Sequence, residues 1–170
     1  MIKRICAAAL LTAAGPLVFA TPIQNPRNGH YYEVVDLPAA SWTESNADAS
    51  SRTYLELQGH LATITSWNEN SFLVRTFGKR ALGNRWIGGY QDKHSSEYSE
   101  PAGGWTWVTG EPWRFTNWFR NEPNDAGGPG SENWLVIRND HPAKWNDFPD
   151  LGGVMAGYVI EYEDMALLGH

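Results

Sequence analysis

Residues 86–90 read Trp86-Ile87-Gly88-Gly89-Tyr90, and the fold turns on them. The run is short, apolar and bulky at both ends, which is the signature of a buried strand. What lies on either side differs in kind. Upstream, His30 to Val35 (HYYEVV) is β-prone and reads as a first strand. Ser41-Trp42-Thr43-Glu44 has the spacing of a capping box, and a helix is expected to follow it to about Leu57, with Gly59 as its stop. Leu61-Ala62-Thr63-Ile64 reads as a short strand. Ser66-Trp67-Asn68-Glu69 is a second capping-box pattern, opening a helix that carries Phe72, Leu73 and Phe77 on one side and ends at Gly78.

Downstream, from Gln91 to Pro149, the chain is rich in Gly, Pro, Asn, Asp and Trp. Only short strand-like islands interrupt it: Trp105 to Val108, with both Trp on one face by the period of two, then Trp134 to Arg138. Tyr158 to Tyr162 is the closing strand. Two early helices, then strands around a long irregular region, make an α+β pattern without alternation or internal repeats. A long structureless loop in a compact domain is usually either functional or a sign that an element has been misassigned.

The ends and the composition narrow the classes. Residues 1–20 read as a secretory signal peptide: Lys3 and Arg4 open it, Ile5 to Leu11 form a short apolar stretch, and Val18-Phe19-Ala20 gives a small-residue cleavage point near Ala20. Residues 21–29 form an extended lead-in, 30–163 the domain, and 164–170 a C-terminal tail. The expected product is secreted or extracytoplasmic, with no membrane span. Cys6, the one cysteine, lies in that leader, so disulfides and thiolate metal sites are not expected beyond it. Thirteen Lys and Arg face 19 Asp and Glu, and the formal net charge is −6. That balance offers no basic patch for nucleic acid and suits a carboxylate-rich cation site. Nine Trp and seven Tyr are first of all core material.

Two clusters in the irregular region carry chemistry. One runs Asn121-Glu122-Pro123-Asn124-Asp125 through a Gly-rich turn to Ser131-Glu132-Asn133; the other is Lys144-Trp145-Asn146-Asp147. Their donors are carboxylate and amide oxygens, with no His or Cys interleaved, which is what calcium takes and zinc does not. By spacing alone a plain solvated loop explains them better, because Asn, Asp and Gly are ordinary turn residues.

The order of the pieces resembles the C-type lectin-like domain family over residues 28–163. QGHLATI at 58–64 resembles its helix-to-strand junction, and WIGGY at 86–90 its central strand. Trp105 to Gly110 and Phe115-Thr116-Asn117-Trp118 are similar to the run into the long loop. Glu122-Pro123-Asn124 is similar to the mannose-type sugar motif, and Trp145-Asn146-Asp147 to the strand motif completing the calcium site. The resemblance implies two helices flanking short antiparallel sheets, with a long calcium and ligand loop. It implies a calcium site of Glu122, Asn124, Glu132, Asn146 and Asp147, and a cis peptide before Pro123. Glu122 with Asn124, and Glu132 with Asn146, would each accept from and donate to one sugar hydroxyl. The partner is then a glycan or glycoconjugate bearing vicinal hydroxyls of the mannose, glucose or fucose type.

Departures from the family pattern keep a second reading open: a lectin-like domain that binds a protein or surface ligand, with calcium only structural. The usual cysteines are replaced by Tyr54 and Ile160 in one pair of positions and by Trp134 and Asp150 in the other. The stretch from Glu122 to Glu132 is longer than in animal mannose-type domains. An auxiliary calcium site would draw on Asp125, Glu132 and Asn133, with its upstream acidic position near Gln91 or Asp92. Catalysis is not expected, since nothing sets Glu122 and Glu132 across a glycosidase cleft. His60 reads as structural, and His30, His94, His141 and His170 form no usable spacing. Trp113 and Phe119 are the expected exposed aromatics of the loop.

Overall fold

The computed structural model describes residues 21–141 and 143–168. The leader expected over 1–20 and the last two residues of the C-terminal tail lie outside them. The elements run β1 Ile23–Gln24, β2 Tyr31–Asp36, α1 Trp42–Ser51, β3 Thr53–Tyr54, β4 Leu57–Leu61, α2 Trp67–Phe77 and α3 Lys79–Leu82. There follow β5 Arg85–Gln91, β6 Trp105–Trp107, β7 Trp134–Ile137, β8 Trp145–Phe148, β9 Gly157–Glu163 and a 3-10 turn at Met165–Leu168. The fold is α+β, as the pattern implied.

Strand β9 is the hub. It pairs antiparallel with β2 along its length, antiparallel with β4 at its C-terminal half and parallel with β5 at its start. The sheet is therefore mixed, not built only of antiparallel pairs. Strand β5 carries β6 on Gly89 to Gln91 and pairs with β7, which pairs with β8. Alternation sends side chains to two cores. Ile87, Leu135, Ile137 and Val159 meet Leu73 of α2 and the tryptophans Trp105, Trp107 and Trp145. Trp86, Val136, Tyr158 and Ile160 meet Trp42 and Ala49 of α1. Gly88 lets β5 approach β4, since a Cβ there would stand 2.6 Å from the Leu61 carbonyl oxygen.

Both capping serines sit at N-caps, with a difference. Ser41 and Glu44 form the full reciprocal box. Ser66 accepts from the Glu69 amide, but the Glu69 carboxylate turns instead to the Thr65 amide, 2.8 Å away, and to the Tyr32 hydroxyl. Helix α1 also stops at Ser51, six residues before the sequence placed its end. Leu55 and Glu56 take positive φ, 50° and 66°, and close a β3–β4 hairpin that competes with the helix. Gly59 is a strand residue, not a helix stop. A Cβ on it would lie 2.7 Å from the Ala49 carbonyl oxygen, so glycine lets β4 lie against α1.

The cysteine replacements acquire a physical account. Tyr54 stacks edge-on with Tyr31 at 5.2 Å and packs on Tyr162 at 5.8 Å, beside the cluster that holds Ile160. Trp134 packs on Trp42, and Asp150 accepts from the Thr43 amide at 3.0 Å and from its hydroxyl. Each of that second pair thus fastens the N-terminal turn of α1.

Candidate functional site

Tryptophans hold the frame of the site. Trp145 is fully buried and meets Trp107 edge-on at 5.6 Å, while Trp113, Phe115 and Trp118 close around it. Its amide donates to the Asn117 carbonyl at 3.0 Å, and its carbonyl accepts from the Phe119 amide at 2.9 Å. The entry to the long loop is thereby laid along β8. Trp113 and Phe119, expected to be exposed, are half-buried; the outlying tryptophan is Trp67, 60% exposed on α2.

From this frame Asn146 and Asp147 follow at once, and the second arm of the loop reaches them. The Glu122–Pro123 peptide is cis. Beyond it, the Asn124 amide donates to Asp147 Oδ2 at 3.0 Å and the Asp125 amide to the same oxygen at 2.7 Å. Asp147 is wholly buried, so these amides are what its carboxylate has in place of water. Glu122 and Asn146 meet through Arg138, whose Nη1 donates to Glu122 Oε1 at 3.0 Å and to Asn146 Oδ1 at 3.3 Å. Glu132, also buried, accepts from the Ala126 amide at 2.6 Å. Asn124 is exposed at the surface of the loop.

The carboxyls feel one another. Burial lifts Glu122 above the usual range, and the charge of Asp147 adds to this against the opposing Arg138; Glu132 raises it further. Glu132 is raised by burial and by Asp147 and Asp125, despite the Ala126 amide. Asp147 is raised by burial, offset by the amides of Asp125 and Asn124. Burial and neighbouring carboxylates thus push all three carboxyls upward, with Arg138 opposing at Glu122. Oε2 of Glu122 is buried without a hydrogen-bond partner. Such a donor set, oxygen throughout and one oxygen unspent, fits a hard cation.

Asp125 and Asn133 are employed otherwise. Asp125 accepts from the amides of Gly130, Ser131 and Glu132 and from the Ser131 hydroxyl, and braces the Gly-rich turn. Burial would raise its carboxyl, yet the Ser131 hydroxyl and those amides together hold it below the usual range. Asn133 donates to the Gly130 carbonyl, Gln91 to the Gly103 carbonyl, and Asp92 accepts from the His94 amide.

Arg138 is the residue that sequence reasoning missed. It was read only as the end of a strand. The signal was the β7–β8 register: Val136 stands opposite Asn146, so position 138, two along, shares that face. Asp140 grips the other edge of the guanidinium at 2.6 and 2.7 Å, and the Phe119 ring lies 4.4 Å from it.

The chain is similar to known proteins over most of the described domain. The family model described as Lectin C-type domain matches residues 40–151. Halomucin of Haloquadratum walsbyi is 31% identical over 148 residues, 79% of this chain and 1% of that protein. The type-2 ice-structuring protein of Hemitripterus americanus is 31% identical over 122 residues, 68% of this chain and 63% of that one. The chain thus spans less than two thirds of the length of either. The crystal structure of the cow C-type carbohydrate-recognition domain of CD23, in the presence of GlcNAc2Man3 oligosaccharide, superposes with a TM-score of 0.58 at 28% identity, covering 78% of this chain and 86% of that one.

Proposed function

The chain belongs to the C-type lectin domain family, and from that premise we propose that its long loop is a calcium-dependent binding site for glycans, outside the cytoplasm. The supporting observation is the convergence of Glu122, Asn124, Asn146 and Asp147 from two separated stretches, with a buried, unspent oxygen on Glu122. Glu122, Asn124, Glu132, Asn146 and Asp147 are the residues to hold the ion. Calcium bound there would supply open coordination positions to two neighbouring sugar hydroxyls.

The chain's own residues do the rest. Asp147 fixes the Asn124 backbone, and so aims its amide group. A carboxylate accepts a hydroxyl proton and an amide donates to a hydroxyl lone pair, so an acid–amide set on each side grips each hydroxyl from both ends. Glu122 with Asn124, and Glu132 with Asn146, are those sets. The Glu-Pro-Asn order favours sugars of the mannose, glucose and fucose type. The superposed cow domain was solved in the presence of GlcNAc2Man3 oligosaccharide, which agrees with that class. Domains of this family are generally binding modules and not enzymes. Among the described residues no helix is long and apolar enough to cross a membrane.

Arg138 favours a second reading. Its guanidinium already holds Glu122 and Asn146, so the loop has a cation of its own and could present a protein or surface ligand with calcium only structural. A glycan array read in calcium and again in chelator separates the two. Retention of mannose-type glycans in calcium alone supports the lectin reading; an empty array beside a calcium-induced rise in melting temperature supports the other.

A further inference from the structure

The end of the sheet carries a second polar cluster, which shares no residue with the loop. Along β9, Ile160 and Tyr162 face the α1 core, so Glu161 and Glu163 face the other way. Strands β2 and β4 flank β9 here, and Tyr32 and His60 both stand opposite Glu161. His30 precedes β2 and comes alongside Glu163. Glu161, Glu163 and His60 are 1%, 3% and 6% exposed. The His30 side chain, 28% exposed, is the opening to solvent.

Hydrogen-bond accounting leaves this cluster short of protons. His30 Nδ1 lies 2.6 Å from Glu161 Oε1, and its Nε2 lies 3.3 Å from Glu163 Oε2. His60 Nδ1 lies 2.9 Å from the Leu61 carbonyl, which can only accept, so that nitrogen carries a hydrogen. In the neutral ring Nε2 is then a bare lone pair, and it lies 3.1 Å from Glu163 Oε1. Neither atom has a hydrogen-bond partner, although both side chains are more than nine-tenths buried. Out of water these two acceptors repel unless a proton on His60 or a metal cation joins them; burial disfavours the imidazolium while Glu163 and Glu161 favour it.

The arrangement at His60 is the one a ligating histidine adopts, its far N–H donated to a backbone carbonyl. Glu161 is oriented as well, by the Tyr32 hydroxyl at 2.6 Å and the Thr63 amide at 2.9 Å. Ligand atoms of His30, Glu161 and Glu163 lie within 4.8 Å of one another. We propose that these three residues, with His60 Nε2 as a fourth donor, form a site for a divalent transition metal such as zinc. Two imidazole nitrogens with two carboxylates suit zinc; calcium takes oxygen alone.

Zinc is titrated calorimetrically into the intact chain in a non-coordinating buffer, with cobalt absorption in the visible as a second readout. One zinc per chain is expected, together with a cobalt d–d band. His30→Gln, at the exposed edge and so the variant safest to fold, should weaken zinc by about 10–100-fold. Glu163→Gln should do the same, with near-ultraviolet circular dichroism reporting its fold. Glu122→Gln, in the loop, should bind zinc as the parent does. The proposal is overturned if zinc gives no heat, if His30→Gln binds it undiminished, or if the heat disappears in Glu122→Gln.

Discussion

Two carboxylates claim the amides of the long loop: Asp147, reaching in from β8, accepts from two and Asp125, within it, from three. At the sheet end, Glu163 faces two imidazoles, at 3.3 and 3.1 Å. The difference follows from where each cluster is built. Loop amides are free of any ladder, so carboxylates can claim them and give an irregular segment its shape. Around β9 the neighbouring strand amides are consumed by pairing, so Glu163 meets only imidazoles, and Glu161 reaches a single amide, that of Thr63 beyond the end of β4, beside the Tyr32 hydroxyl. Carboxyls that shape the backbone and carboxyls that merely stand on it should therefore respond differently to substitution.

The largest effect is expected at Asp147. Replacing it by Ala leaves the amides of Asn124 and Asp125 without their acceptor in a buried setting, at about 2–3 kcal/mol in guanidinium denaturation, and the glycan response should vanish with it. An unchanged denaturation midpoint would break the contrast, because the loop would then be holding its own shape. Next comes Arg138. Its guanidinium engages Glu122 and Asn146 and so competes with a bound cation. Arg138→Gln should tighten calcium by about tenfold, or ~1.4 kcal/mol, in titration calorimetry. Weaker calcium binding would instead make Arg138 a support of the site.

The smallest effect concerns pH and Glu69, which lies against the sheet cluster. Its carboxyl is pushed up to about 8, by burial first and then by the charge of Glu161, against the Tyr32 hydroxyl and the Thr65 amide; Glu111 adds to the rise. The Tyr32 hydroxyl lies 2.6 Å from both Glu69 and Glu161 yet has one hydrogen, and a proton on Glu69, whose carboxyl is the raised one, supplies the second bond. A folded-state pKa above the unfolded one means stability present at acid pH and lost as pH rises through the folded value. The melting temperature should fall by several degrees from about pH 6 to about pH 9. Glu69→Gln, which keeps the neutral form at every pH, should flatten that fall. An equally steep fall in the variant would place the titrating group elsewhere.

The two clusters also differ in how far the sequence disclosed them. The two runs of the loop could be set together only through the family resemblance, since their residue types alone suit an ordinary turn; the structure adds that they meet through Asp147 and Arg138. Strands β2, β5, β6, β7 and β9 were legible from apolar or β-prone runs such as WIGGY. By contrast, β1 and β3 fell in segments read as lead-in and helix, β8 came only with the resemblance, and the strand expected over 61–64 lies at Leu57–Leu61. The sheet cluster was not legible, because His30, His60, Glu161 and Glu163 become neighbours only through the register of three strands, and no spacing in the chain encodes that. Arg138 was hidden for the same reason. The end of α1 was misplaced because propensity alone cannot weigh a helix against the Leu55–Glu56 hairpin turn, which Tyr54 anchors by packing on Tyr31 and Tyr162. Glu69 shows a motif read correctly in half: the serine caps, and the acid is drawn off by Tyr32.

The most direct measurement is calorimetric titration of methyl α-mannoside into the protein, first with calcium and then with chelator. Saturable binding at one site per chain in calcium, abolished by chelator and absent in Asp147→Asn, is the predicted result. Sugar heat that survives the chelator, or no heat in calcium beyond that of a galactoside control at millimolar ligand, would contradict a cation site shared by Glu122, Asn124, Glu132, Asn146 and Asp147.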